Sequence, residues 1–225
     1  MGATIGELLP LAVGVAVSPI PIIATILMLL APRARAASAG FATGWLVGIV
    51  VVVTVVAVVA ASADLGGTSD QPSTGASWVK LVLGGLLILL AGRQWSKRPR
   101  GDQPGSMPKW MTAIDSMTVG KSAGLGFLLA AVNPKNLLLC LSAGVTLAGS
   151  GLSVGDQVVA GAVFVVIAAA SVLVPVLGYA VAADRLRGPL DELRGWLVQN
   201  NVAVMAVLLL VIGVSLLGKG LGGLT

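Results

Sequence analysis

The chain has 225 residues, of which 56% are hydrophobic and only 10% charged, with a mean hydropathy of +0.99. Soluble domains carry about 25% charged residues, so the composition excludes an ordinary soluble domain and indicates an all-α integral membrane protein with several apolar runs of roughly 20 residues. The formal charge of +5 lies mostly in the connections between those runs, where it signals topology rather than nucleic-acid binding.

Six spans are predicted, helical because the runs are continuously apolar rather than alternating. The first covers Ile5 to Leu30, and its opening MGATIGELLP lacks the basic start of a cleaved signal, so it reads as a retained helix. The second covers Ala37 to Ala63 and the third, a short one, Ser77 to Gly92. A basic connection, Arg93 to Lys121, follows. The fourth span covers Ser122 to Ala148, the fifth Gln157 to Ala183 and the sixth Val202 to Gly218. Between the last two, DRLRGPLDELRGWLVQNN has the look of a short interfacial helix interrupted at Gly188-Pro189, with a solvated loop as the alternative.

Basic residues set the orientation. Arg33 and Arg35 follow the first span; Arg93, Lys97, Arg98, Arg100, Lys109 and Lys121 follow the third; Arg185, Arg187 and Arg194 follow the fifth. The connections after the second and fourth spans contain no Lys or Arg. The positive-inside rule places the basic side in the cytoplasm, so both termini are expected outside the cytoplasmic (inner) membrane. Trp45, Trp78, Trp95, Trp110 and Trp196 fall mostly near span ends or loops, as interfacial anchors do.

A weak internal repeat runs through this order. VSPIP (Val17 to Pro21) in the first span matches VNPKN (Val132 to Asn136) in the fourth, 115 residues later. The third member of each half has a glycine pair seven apart, Gly85 and Gly92 against Gly213 and Gly220. Three helices per half is an odd number, so the second copy enters the membrane inverted, the plan of many secondary transporters. The expected organisation is a single transmembrane domain: repeat A over residues 5–92, a basic cytoplasmic loop over 93–121, and repeat B over 122–220.

Proline inside a helix removes an N–H and strands the carbonyl four residues back. Pro19 and Pro21 should free the carbonyls of Val15 and Val17, and Pro134 that of Ala130. Broken backbone at membrane depth is tolerated only against protein or a wet cavity. If the two breaks face each other, Ser18, Asn133 and Asn136 line a polar chamber near the midplane, with Thr25 and Ser142 within about two turns. Helix starts after each break aim partial positive charge inward. Lys135 adds a full one, although a lysine at the bilayer centre costs about 2.5–3.5 kcal/mol on insertion scales. Such a chamber suits a carboxylate, sulfate or phosphate; two kinks repaired by their own polar side chains are the plainer alternative.

The remaining polar inventory is thin. Glu7, Asp64, Asp156 and Asp184 sit near predicted span ends, which argues against a carboxylate proton relay and leaves Lys135 as the sole candidate for proton coupling. No histidine occurs, so no metal site or cofactor is expected. Cys140 is the one cysteine, which excludes an internal disulfide, and it reads as a small core residue. Gly40, Gly44 and Gly48 share one helix face and let a neighbour approach closely, within the monomer first and in a homodimer seam second. Gly84-Gly85 and the SAGLG stretch, Ser122 to Gly126, allow the same reading.

Together, six spans, Ser18-Pro19-Ile20-Pro21 and Asn133-Pro134-Lys135 resemble the lysine exporter superfamily. Within it, SPIP, the APRAR connection and the Ala/Val-rich second span resemble the peptidoglycolipid-addressing proteins, implicated in moving sulfolipids or glycopeptidolipids toward lipid-rich envelopes. The resemblance spans nearly the whole chain. It implies that Pro19, Pro21, Asn133, Pro134 and Lys135 belong to the transport pathway. Amino-acid exporters usually have glycine between the first two prolines; Ile20 here argues against that substrate. The paired cysteines of related redox transporters and the His or acidic clusters of metal exporters are also missing.

The first expectation is therefore an exporter, or part of one, for an anionic lipid or glycolipid. The second is an accessory protein docked on a larger lipid exporter, with the 93–121 loop touching that partner or anionic headgroups. Export of a small solute is third. An intramembrane enzyme fits poorly, since no catalytic pair or dyad is present.

Overall fold

The computed structural model describes residues 1–63, 74–96 and 117–224. Asp64, Lys97, Arg98, Arg100, Lys109 and Trp110 lie outside the described residues, as does the side chain of Asp184.

Among the described residues the chain forms helices and no strands. Helix α1 is Gly2–Ala16, α2 Pro19–Leu30, α3 Ala34–Ser62, α4 Thr74–Ser96, α5 Val119–Ala131 and α6 Pro134–Ala148. A final helical run divides at Ala182 (φ −139°, ψ 49°) into α7, Val154–Ala183, and α8, Arg185–Gly222. Four of these helices, α3, α4, α7 and α8, are each long and apolar enough to cross a membrane. The pairs α1/α2 and α5/α6 are bent by 51° and 64°, and the number of capable spans rises to six if each pair is one span. The protein is thus a helical membrane protein.

Both bends fall at the proline motifs. Ser18 and Asn133, each extended, are the N-caps of α2 and α6, and Pro19 and Pro134 follow at the first helical position, where a missing N–H costs little. Hydrophobic residues from each of the helices α1 to α8 then form the main core. Leu8, Phe41, Leu139, Phe164 and Ile212 belong to it, each at most 4% exposed.

Glycine sets how closely the helices meet. A Cβ at Gly40 or Gly44 would strike the backbone carbonyls of Val119 or Ala123, and one at Gly126 the carbonyl of Phe41. The Gly40/Gly44/Gly48 face is therefore occupied by α5 of the same chain, leaving no room for a second copy there. On the opposite flank, α4 and α8 touch where a Cβ on Gly84 would lie 2.8 Å from the Gly213 oxygen, and one on Gly213 3.0 Å from the Gly84 oxygen.

Several sequence expectations need correction. The third helix is not short: α4 runs 23 residues, Thr74–Ser96, because the helix continues past the apolar stretch into residues 74–76 and 93–96, less apolar ends that hydropathy alone does not count. Gly85 and Gly92, half of the proposed glycine repeat, face open space; the contact is made by Gly84, about 100° around the helix from Gly85. The 184–201 segment is neither a loop nor interrupted at Gly188-Pro189. Pro189 lies about one turn inside the start of α8, so only the Arg185 carbonyl loses its helical donor, and the actual break is upstream at Ala182. Leu190 anchors this extension against Ile26, Leu29 and Tyr179. Trp45 is no interfacial anchor. It is fully buried in the core, well inside α3, whereas Trp78, Trp95 and Trp196 are about half exposed.

Candidate functional site

The two bends meet. Lys135 Nζ donates to Ser18 Oγ at 2.8 Å, and Ser18 Oγ donates to Asn136 Oδ1 at 2.7 Å. Asn136 Nδ2 then donates to the Leu129 carbonyl at 3.0 Å. The chain of bonds runs one way, from ammonium to hydroxyl to amide to carbonyl. Because the Leu129 oxygen can only accept, the Asn136 amide must turn its NH2 group toward it and its oxygen toward Ser18.

Local sequence explains each placement. The bend at Val132-Asn133 sends the Asn133 N–H to the Leu128 carbonyl at 3.3 Å, so the Leu129 carbonyl loses its helical donor. Asn136, one turn into the next helix, returns a side-chain donor to it. Asn133 caps its own helix by accepting from the Lys135 backbone N–H at 3.2 Å. Ser18 occupies the equivalent cap position on α2 but makes no side-chain cap bond; its hydroxyl is used across the interface instead. Prolines 19 and 21 have no N–H, so the first turn of α2 has fewer donors needing a cap.

The surroundings are closely packed. Lys135 is 3% exposed, Ser18 1% and Asn136 0%. Pro19 and Pro21 are buried, Ile20 and Asn133 half-buried, and Pro134 exposed on the far side. The expected open polar chamber is therefore a filled one, because ammonium, hydroxyl and amide satisfy each other directly. Thr25 and Ser142, expected nearby, are not in the network. Each hydroxyl bonds back to its own helix, to the carbonyls of Pro21 and Leu138, both at 2.8 Å. Of the carbonyls expected to be freed, Val15 accepts the Ser18 N–H at 3.2 Å.

The electrostatics are one-sided. An ammonium has three donors, and among the described residues Ser18 Oγ is the one hydrogen-bond partner of Lys135 Nζ. No carboxylate pairs with it among the described residues. Its charge also lies beside the starts of α2 and α6, where the helix dipole is positive. A buried charge without a counter-charge is costly, and an anion is what this geometry lacks. No group of His, Cys, Asp or Glu able to hold a metal occurs among the described residues.

Sequence reasoning missed a second charged cluster. Glu7 Oε2 takes Lys80 Nζ at 3.5 Å and Lys219 Nζ at 3.6 Å, joining α1, α4 and α8. The signal was available: Lys80, Lys135 and Lys219 are the three basic residues outside the connections after the first, third and fifth spans. Nothing in the sequence paired two of them with Glu7.

No curated protein and no solved structure matches this chain. A family model, that of Sap, the sulfolipid-1-addressing protein, matches residues 8–222 and so includes both bends, the Lys135 network and the whole core. The chain belongs to this sulfolipid-1-addressing protein family.

Proposed function

We propose that this membrane protein exports an anionic envelope lipid or glycolipid, of the sulfolipid or glycopeptidolipid type, across the cytoplasmic membrane, alone or as an essential part of an exporter. The observation that carries the reading is Lys135: a buried ammonium, held by a serine hydroxyl between two helix starts, with no carboxylate paired to it among the described residues. A sulfate or carboxylate headgroup supplies the missing charge. Family membership supports the lipid class. No chemical step is assigned to the protein, which on this reading is not an enzyme.

The topology belongs to the same proposal. Each bent pair is one span, giving six crossings with both termini outside, and residues 5–92 and 122–220 are inverted repeats as in the lysine exporter superfamily. Two observations support it: both bends fall at matched proline motifs, and the motifs touch through Ser18 and Asn136.

Surface-lipid profiling of a deletion strain tests the function. Wild-type protein should restore the missing anionic lipid, whereas Lys135→Ala should not, at equal abundance in the membrane. Restoration by Lys135→Ala would remove the site from the mechanism. Purified protein in liposomes separates the two roles: a transporter moves the lipid unaided, and a component docked on a larger exporter does not.

A further inference from the structure

A groove of about 530 Å³ lies between α3 and α7, well apart in sequence from the Lys135 network. One wall is α7 from Val154 to Val166, the other α3 from Val50 to Val58, and Leu147 near the end of α6 is the floor. The walls are small: Ala57, Gly161 and Ala162 leave the space that longer side chains would fill. Thr54 and Gln157 are the polar side chains lining it, and Gln157 already donates to the Leu152 carbonyl at 3.1 Å, in the turn that precedes α7.

Dimensions and surroundings identify the occupant. From Val154 to Val166 the α7 wall rises twelve steps, roughly 18 Å at 1.5 Å per residue. One leaflet's share of a hydrocarbon core of about 30 Å is roughly 15 Å. The groove therefore runs the depth of a single leaflet, from the α6–α7 turn inward. Its rim is continuous with the lipid-facing surface: Val58, Val158 and Val166 are all more than 60% exposed. Its size is that of ligand pockets, which are mostly apolar with a few placed polar groups.

We propose that this groove is a lateral binding site for one acyl chain of a lipid in the leaflet on the α6–α7 turn side, with the headgroup at the level of Gln157. The site goes beyond the headgroup reading of Lys135 and stands without it, because it follows from wall chemistry, length and depth alone. A chain lying in the groove covers Leu147 and the inner faces of both valine walls, removing apolar surface from competition with disordered lipid.

Photocrosslinking tests the site independently of export. The protein is placed in nanodiscs containing a phospholipid with a diazirine near the end of one acyl chain, and adducts are mapped by mass spectrometry. Adducts on α3 and α7 groove residues are expected several-fold above those on Val174, Leu177 and Val207, which are similarly exposed. Two filling variants should reduce them to that background: Gly161→Leu, whose new side chain starts 3.5 Å from Leu147, and Ala162→Phe on an exposed position. Val174→Phe should change nothing in the groove. Adducts that follow exposure alone, or that persist in both filling variants, would overturn the proposal. Restoration of export by Lys135→Ala with this crosslinking pattern intact would count against the headgroup reading only.

Discussion

At Lys135 a buried amine nitrogen is held by a hydroxyl and not by a carboxylate, and this decides what substitutions there should do. Removing a buried charge that lacks a counter-charge relieves its desolvation cost. Lys135→Met is therefore expected to leave thermal stability unchanged or raised while export is lost, measured on purified protein and in the lipid profile. Asn136 has the reverse character. Its amide serves the stranded Leu129 carbonyl and the Ser18 hydroxyl, so Asn136→Ala should destabilise by about 1–3 kcal/mol, the usual cost of an unsatisfied buried group. Asn136→Asp places a carboxylate beside the Lys135–Ser18 bond and should block export by supplying the anion internally, but it also takes the donor from the Leu129 carbonyl and so should share the stability loss of Asn136→Ala. A single melting series across the three variants separates charge from scaffold.

At the level of helices, close approach is controlled by the missing Cβ atoms of a few glycines. Gly84 and Gly85 are neighbours in sequence with opposite expectations. Gly84→Ala pushes a methyl group onto the α8 backbone at Gly213 and should cost roughly 1–3 kcal/mol, as overpacking does. Gly85→Ala meets nothing and should be neutral or stabilising by up to about 1 kcal/mol through helix propensity. Denaturation of the two variants in the same detergent checks both. The pair also marks where sequence stops being informative. Six apolar regions and two proline breaks were legible because hydropathy and proline chemistry are local properties. Whether Gly84 or Gly85 faces α8 depends on helix rotation, set by packing, and a glycine spacing shared by two segments cannot supply it. The same holds for the site. Ser18, Asn136 and Lys135 could be named as polar residues at breaks, but the direction of their bonds, and the withdrawal of Thr25 and Ser142 to their own helices, depend on geometry across 117 residues of chain.

For the molecule as a whole, charge placement and the three helix ends at Glu7 make one picture. Lys80 and Lys219, which lie outside the basic connections, are joined through Glu7, which ties α1, α4 and α8 together. The Glu7 side chain is 39% exposed, so Glu7→Gln is expected to cost no more than about 1 kcal/mol per pair in stability; a larger loss on thermal unfolding would show the cluster to be a main structural tie. Topology is directly measurable because Cys140 is buried and gives no background labelling. A cysteine at Ser153 should react with an impermeant maleimide applied to intact cells. One at Arg187 should react only after permeabilisation, and the opposite pattern would invert the orientation read from the basic residues. The central claim, that the Lys135 pocket recognises a lipid anion, is tested most directly by ligand-induced stabilisation of purified protein. A sulfated glycolipid should raise the melting temperature of the wild type well above the effect of its desulfated analogue, and Lys135→Met should respond to both alike. Equal stabilisation of wild type and Lys135→Met by the sulfated lipid would contradict the account.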